Sequence, residues 1–208
     1  MRNWFAIFFL LFALLSTSAS AHPHVWVTYL VKPSATAAGI DKVYFTWRFD
    51  AMFSAMALEE LQIKSVTEKD WPALRDKAFA NLKNYHYYTH IKADGVDFAP
   101  DTVGDFKAHM TGKQLVYEFS ITLPKPAKDL EVSIWDEEFY VDLDPPTEEV
   151  VNDKAGSAMS ERQFKAKEFI APQAVAGAAK PDCKSEERSR DNPIWGKVIT
   201  FYVLCKAK

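Results

Sequence analysis

The segment Lys42 to Phe49 reads K-V-Y-F-T-W-R-F, so dense in aromatic and β-branched residues that it is committed to a strand. A strand of that kind needs partners, and the chain offers several. His24 to Val31 alternates apolar with polar residues and reads as a strand before it, joined through a small-residue loop, Pro33 to Gly39. Beyond Tyr87, Tyr88 to Ala93 leads into an Asp94-Gly95 turn. Asp105 to Met110 and Gln114 to Leu123 flank Thr111-Gly112-Lys113 as a hairpin, and Leu130 to Trp135 and Phe139 to Leu143 flank Asp136-Glu137-Glu138 as another. Ile194 to Leu204 returns to strand character at the end.

Two helices interrupt this pattern after the second strand. Asp50 precedes A-M-F-S-A-M-A-L-E-E-L, a run of good helix formers that it is placed to cap. In the next, Asp70 is the expected cap, Pro72 falls in the first turn, and Trp71, Leu74, Ala78, Leu82 and Tyr85 recur at three- and four-residue steps. Residues 145–181 are rich in Ala, Lys, Glu and Gln and read as a long, partly ordered insertion, with a short helix expected from Arg162 to Ile170. No internal repeat is present. The expected fold is α+β: a mostly antiparallel, sandwich-like β structure with two helices inserted after the second strand, forming one domain over residues 22–208.

The N-terminus has the parts of an export signal. Arg2 gives a positive start, Trp4 to Leu15 is uncharged and apolar, and Ala19-Ser20-Ala21 is a signal-peptidase pattern. The apolar run is short of the roughly 20 residues that span a bilayer. Residues 1–21 are therefore expected to be removed, leaving an exported chain of 187 residues that starts at His22 and has no membrane span. Loss of Arg2, one of 25 basic residues, leaves 24 against 28 acidic ones. That balance gives no reason to expect nucleic acid as a partner. Two cysteines, Cys183 and Cys205, in an exported chain favour a disulfide over separate thiols; the C-x-x-C spacing usual for a metal site is absent.

The mature terminus would read His22-Pro23-His24. A terminal histidine offers the free α-amine and the imidazole together, and both shed protons near neutral pH. Pro23 removes the backbone amide that would compete as a copper ligand. An incidental tail is the competing explanation. His86 and His90, in Y-H-Y-Y-T-H, are a second pair. On a helix their spacing would let them share an ion, whereas on a strand they would sit about 13 Å apart; partly exposed members of an aromatic cluster is the plainer reading. His109 reads as surface. Asp136, Glu137, Glu138, Asp142, Asp144, Glu148 and Glu149 form an acidic run suited to a cation or a basic partner, or simply to a solvated hairpin tip. The methionines do not cluster in sequence. No catalytic signature such as G-x-S-x-G, H-E-x-x-H or a phosphate-binding glycine loop occurs, and a non-enzyme is expected.

Taken together, H-P-H-V-W-V, W-R-F-D-A-M-F-S at Trp47 to Ser54, N-L-K-N-Y-H-Y-Y-T-H-I at Asn81 to Ile91, F-S-I-T-L at Phe119 to Leu123 and S-I-W-D-E-E-F-Y-V at Ser133 to Val141 resemble an exported bacterial family. It is the one called domain of unknown function 1007, and these motifs run in order from His22 to about Leu143. The resemblance implies a periplasmic component of an ABC-type transport system for zinc, nickel or cobalt, with an inner-membrane metal transporter as partner. It also implies His22 and His24 as leading ligands, with Asp50 and Asp136 behind them. Many members carry an acidic calcium-like loop between the helices; here Leu61 to Asp70 reads L-Q-I-K-S-V-T-E-K-D, without the oxygen ligands that loop needs. The functional expectation is a divalent transition-metal binding protein of the periplasm, with zinc or nickel as the metal. The alternatives are a copper-binding β-domain with an N-terminal histidine brace and a metal-free envelope interaction module.

Overall fold

The computed structural model describes residues 25–138, 140–145, 173–174 and 182–206. The expected signal peptide, His22, His24 and the Arg162 to Ile170 helix lie outside the described residues.

Alternation becomes two sheets. Strands β1 (Val25–Thr36) and β2 (Gly39–Phe49) pair antiparallel from Val27↔Phe49 to Thr36↔Gly39, so the expected loop from Pro33 is mostly strand and the turn is only Ala37-Ala38. Glycine is required at its exit. Gly39 has φ +134°, and a Cβ there would lie 2.5 Å from the Ala127 carbonyl oxygen. β3 (Thr89–Ala93) and β4 (Val96–Phe98) form the expected hairpin, with Asp94 and Gly95 at φ 49° and 77°, the left-handed pair a two-residue turn demands. β5 (Gly104–Thr111) and β6 (Gln114–Ala127) form the next, closing at Thr111↔Gln114.

The hairpin expected around residues 136–138 does not exist. β7 (Asp129–Ile134) pairs with β3, whereas β8 (Val141–Asp144) crosses to the other sheet and lies parallel to β1. β9 (Gln173–Ala174), from inside the expected insertion, also pairs parallel with β1. The C-terminal hairpin joins β10 (Cys183–Asn192) to β11 (Gly196–Cys205). Among the described residues one sheet runs β5-β6-β2-β1-β8 with β9 also on β1, and the other runs β10-β11-β7-β3-β4.

Helix α1 (Ala51–Glu60) starts at Asp50, as expected. The second helical run, α2 (residues 68–88), departs from a regular helix. Thr67 opens it, with its N–H donating to the Asp70 carboxylate at 2.8 Å; Asp70 itself caps nothing onward. A π turn spans Leu74–Phe79, and 3-10 turns follow over Ala80–Tyr88. In the π turn the buried residues are Leu74 and Phe79, five residues apart, and a turn widened to five-residue closure is what brings both to one side. Phe79, absent from the expected stripe, is 1% exposed; Tyr85, expected in it, is 44% exposed.

Trp47 anchors the core. Its ring lies 5.2 Å edge-on from Phe119 and 5.8 Å from Phe79, and stacks on Tyr88 at 6.3 Å. Such aromatic pairs contribute about 0.5–1.5 kcal/mol each beyond the area they bury. Tyr29 of β1 meets Phe201 of β11 edge-on at 6.1 Å, so the two sheets share this interior. Cys183 and Cys205, directly opposed in register, form the expected disulfide. No helix among the described residues is long and apolar enough to cross a membrane.

Candidate functional site

Four of the six candidate metal ligands, Asp50, Asp136, His86 and His90, fall within the described residues, and they separate into two kinds. Asp50 and Asp136 are occupied by the backbone. Asp50 accepts from the Phe53 N–H at 2.8 Å through Oδ1 and from the Trp26 N–H at 3.1 Å through Oδ2. It thereby starts α1 and ties that corner to the first residues of β1. Asp136 is 1% exposed and receives three N–H groups, from Glu138 at 3.0 Å and from Tyr140 and Val141 at 2.9 Å each. Those bonds shape the crossing between the sheets in place of a hairpin ladder. Each carboxylate thus has a structural role.

His86 and His90 are the other kind. His86 sits at φ 50°, the first of three consecutive left-handed residues with Tyr87 and Tyr88, which break α2 and turn the chain into β3. Left-handed backbone at non-glycine residues is costly, so three in succession mark a place held by its surroundings. This conformation is neither the helix nor the strand weighed from the sequence, and it brings both rings to the wall of one cavity of about 310 Å³.

Each ring is oriented by a carbonyl. His86 Nδ1 lies 3.1 Å from the Pro100 oxygen and His90 Nε2 3.3 Å from the Trp135 oxygen. A carbonyl only accepts, so the neutral His86 ring carries its hydrogen on Nδ1 and the neutral His90 ring on Nε2. His86 Nε2 and His90 Nδ1 then keep free lone pairs. An N–H held by a backbone carbonyl while the second nitrogen stays bare is the usual posture of a metal-binding histidine. His90 also stacks on Trp135 at 4.1 Å. Burial pushes its pKa below the ordinary histidine range, against the upward pull of the Trp135 carbonyl and Glu137; His86 adds slightly to the lowering.

The cavity floor is the outer face of the five-stranded sheet. Register aligns His90, Ser133, Thr200 and Arg188 in one row across β3, β7, β11 and β10. The next row on that face holds Asp97, Lys92, Glu131, Tyr202 and Glu186. Lys92 and Arg190 line the cavity and pair with Asp97 at 3.7 Å and Glu131 at 3.0 Å. Thr200 is 2% exposed, and its buried Oγ1 has no hydrogen-bond partner among the described residues. Sequence reasoning passed over Ser133 and Thr200. Their one signal was polarity at alternate positions of otherwise apolar strands.

Among the described residues no three His, Cys, Asp or Glu side chains assemble as a ready-made metal centre. His109 is exposed, as expected. Asp142 and Asp144 lie beside the buried Tyr29 around a smaller cavity of about 60 Å³, and burial raises the pKa of both, with Asp144 adding to the rise at Asp142. Met52 and Met56, one turn apart on α1, are 59% and 60% exposed, a proximity the sequence reading did not credit.

None of the curated proteins compared with this chain matches it. A family model described as "Protein of unknown function (DUF1007)" matches residues 7–185. That span reaches past the motifs ending near Leu143 and takes in residues 145–181, while β11 lies beyond it. With most of its length inside one family model, from the expected leader through both helices to the start of β10, the chain belongs to the DUF1007 family.

Proposed function

We propose that this protein is a periplasmic divalent transition-metal binding protein, acting as an accessory or substrate-binding component of an inner-membrane zinc, nickel or cobalt transporter. The observation that carries the reading is the His86–His90 pair. Both rings line one cavity, each has its N–H held by a backbone carbonyl, and each keeps a bare nitrogen. Burial also favours the neutral, ligating form of His90 near neutral pH. His22 and His24 remain candidate ligands on the sequence argument. His24 directly precedes β1, whose Trp26 N–H is bonded to Asp50. Asp50 and Asp136 have structural roles through their backbone N–H partners and stand behind the histidines as candidate ligands.

A copper reading draws on Met52 and Met56. They stand on α1, whose cap Asp50 is hydrogen-bonded to the second residue after His24, and thioether and imidazole donors together suit copper.

Elemental analysis of protein purified from the periplasm with its native terminus, followed by titration of zinc, nickel and copper, is the test. Binding that weakens at least tenfold in His86→Ala/His90→Ala places the metal in the cavity. Weakening only when a residue is added before His22 places it at the terminus. Absence of bound metal together with no measurable affinity for any of the three would overturn the reading.

A further inference from the structure

Once its own ion pairs are set aside, the cavity beside His86 and His90 has acceptors to offer and a negative charge left over. Lys92 and Asp97 are register partners on β3 and β4 and pair at 3.7 Å. Arg190 opposes Val198 and Glu131 opposes Tyr202, so their 3.0 Å bridge crosses β11 at the row of Thr200, like a strap. Each base in the lining is thereby matched to an acid. Glu137 is the third acid there, and among the described residues no Lys or Arg pairs with it. With both rings neutral, three acids against two bases leave one negative charge. That charge lies near the rings, since the field of Glu137 reaches His90.

The polar groups without partners are acceptors too. His86 Nε2 and His90 Nδ1 are bare because the other nitrogen of each ring donates to a carbonyl. Thr200, 2% exposed, lines the cavity in the same row as His90 and Ser133, and its Oγ1 has no partner among the described residues. A buried hydroxyl left this way is unfavourable until something entering the cavity meets it. An anion would face lone pairs and like charge. An alkylammonium brings a positive charge, three hydrogens and no acceptor, and it demands no fixed coordination geometry. The ammonium group alone would fill little of about 310 Å³, roughly ten times the share of one water in the liquid. Ile91, Phe98 and Ala99 in the lining offer apolar surface to the rest of such a molecule.

We propose that this cavity binds a small primary amine in its ammonium form, carried on an apolar stem. The ammonium hydrogens go to His86 Nε2, His90 Nδ1 and the Thr200 hydroxyl, and Glu137 supplies the counter-charge. This activity goes beyond metal binding and does not rest on it; an amine and a metal would compete for the same two lone pairs.

The experiment uses the mature full-length chain, stripped of metal, and calorimetric titration near neutral pH with three probes of similar shape: phenethylamine, 2-phenylethanol and 3-phenylpropanoate. The amine should bind at least tenfold more tightly than the uncharged alcohol, and the propanoate should bind most weakly. Glu137→Gln changes charge and little else at an exposed side chain, and it should remove most of the preference for the amine. Thr200→Val, nearly isosteric, should weaken amine binding severalfold, and His86→Ala/His90→Ala at least tenfold. Nickel should displace the amine if the histidines also take a metal. Equal affinity for amine and alcohol, or a preference that survives Glu137→Gln, overturns the inference. Failure of the amine to bind does so too, and nickel binding in that case leaves the metal reading standing. Amine bound with no affinity for zinc, nickel or copper supports the amine site and overturns the metal reading alone.

Discussion

Asp136 carries a carboxylate into nearly complete burial and meets three backbone N–H groups there. Its acidity matters less than its geometry. Asp136→Ala would strand those donors, and at about 1–3 kcal/mol for an unmet buried group the total loss should be about 3–5 kcal/mol. Asp136→Asn keeps the shape but turns one acceptor into a donor, for an expected loss of about 1–3 kcal/mol. Urea unfolding measures both; a loss below about half a kcal/mol for the alanine variant would show that the turn holds without it. His90 behaves differently because its charge changes. With its folded pKa pushed down by burial, its contribution to stability is complete above the ordinary value of about 6.5 and is lost as pH falls through the folded value. Replacing it by Phe retains the stack on Trp135 and removes the titration, so unfolding free energy should slope less steeply with pH below 6.5. Asp142, Asp144 and Glu187 act in the opposite sense, since burial raises their pKa and their contribution is lost as pH rises. The His90 effect is therefore read from the difference between the two proteins, and identical slopes would assign the dependence elsewhere.

Among the elements, those with strong alternation were legible and those set by register or strain were not. β2 declares itself through bulky residues at every second step, and the Asp94-Gly95 turn through its two left-handed positions. β10 was invisible. C-K-S-E-E-R-S-R-D-N has no apolar face because it is an edge strand, exposed along most of its length and joined only to β11. β7 and β8 looked like a hairpin because each was a credible strand; a buried Asp136 routing the chain to the second sheet leaves no trace in local pattern. In α2 a regular period of 3.6 put Leu82 and Tyr85 on the core stripe, but the π turn rotates the later residues away. Leu74→Ala should thus cost about 2–5 kcal/mol and Phe79→Ala about 3–5, while half-buried Leu82→Ala should stay near 1 kcal/mol. Equal losses at Leu74 and Leu82 would restore the regular helix. Reducing the Cys183–Cys205 bridge, 22 residues apart, should cost about 3 kcal/mol and release β10 first, with amide exchange rising there before β7 or β3. Uniform loss of protection across that sheet would mean the bridge holds more than its own hairpin.

At the scale of the molecule the candidate site is a product of topology. His86 comes from the end of α2 and His90 from the start of β3, Ser133 from β7 and Thr200 from β11, so three stretches far apart in sequence line one cavity. The sequence could nominate His86 and His90 by type and spacing, but whether they share a space depended on three left-handed residues no periodicity encodes. A ligand bridging the two rings would tie α2 to the sheet, and binding to the folded state alone stabilises it by mass action. At a hundredfold excess over Kd that amounts to about 2.7 kcal/mol, or about 5–10 °C in Tm for a chain of this size. Zinc or nickel at pH 7.5 should produce such a rise. Near pH 5.5 it should shrink, because protons compete with the metal for imidazole nitrogen, although burial keeps His90 neutral to lower pH. His86→Ala/His90→Phe should lose the rise at both pH values. A rise that survives in that variant and disappears when a residue is added before His22 would move the site to the N-terminus. No rise with any of zinc, nickel and copper, in any form, would leave these histidines as parts of an aromatic cluster packed against Trp135.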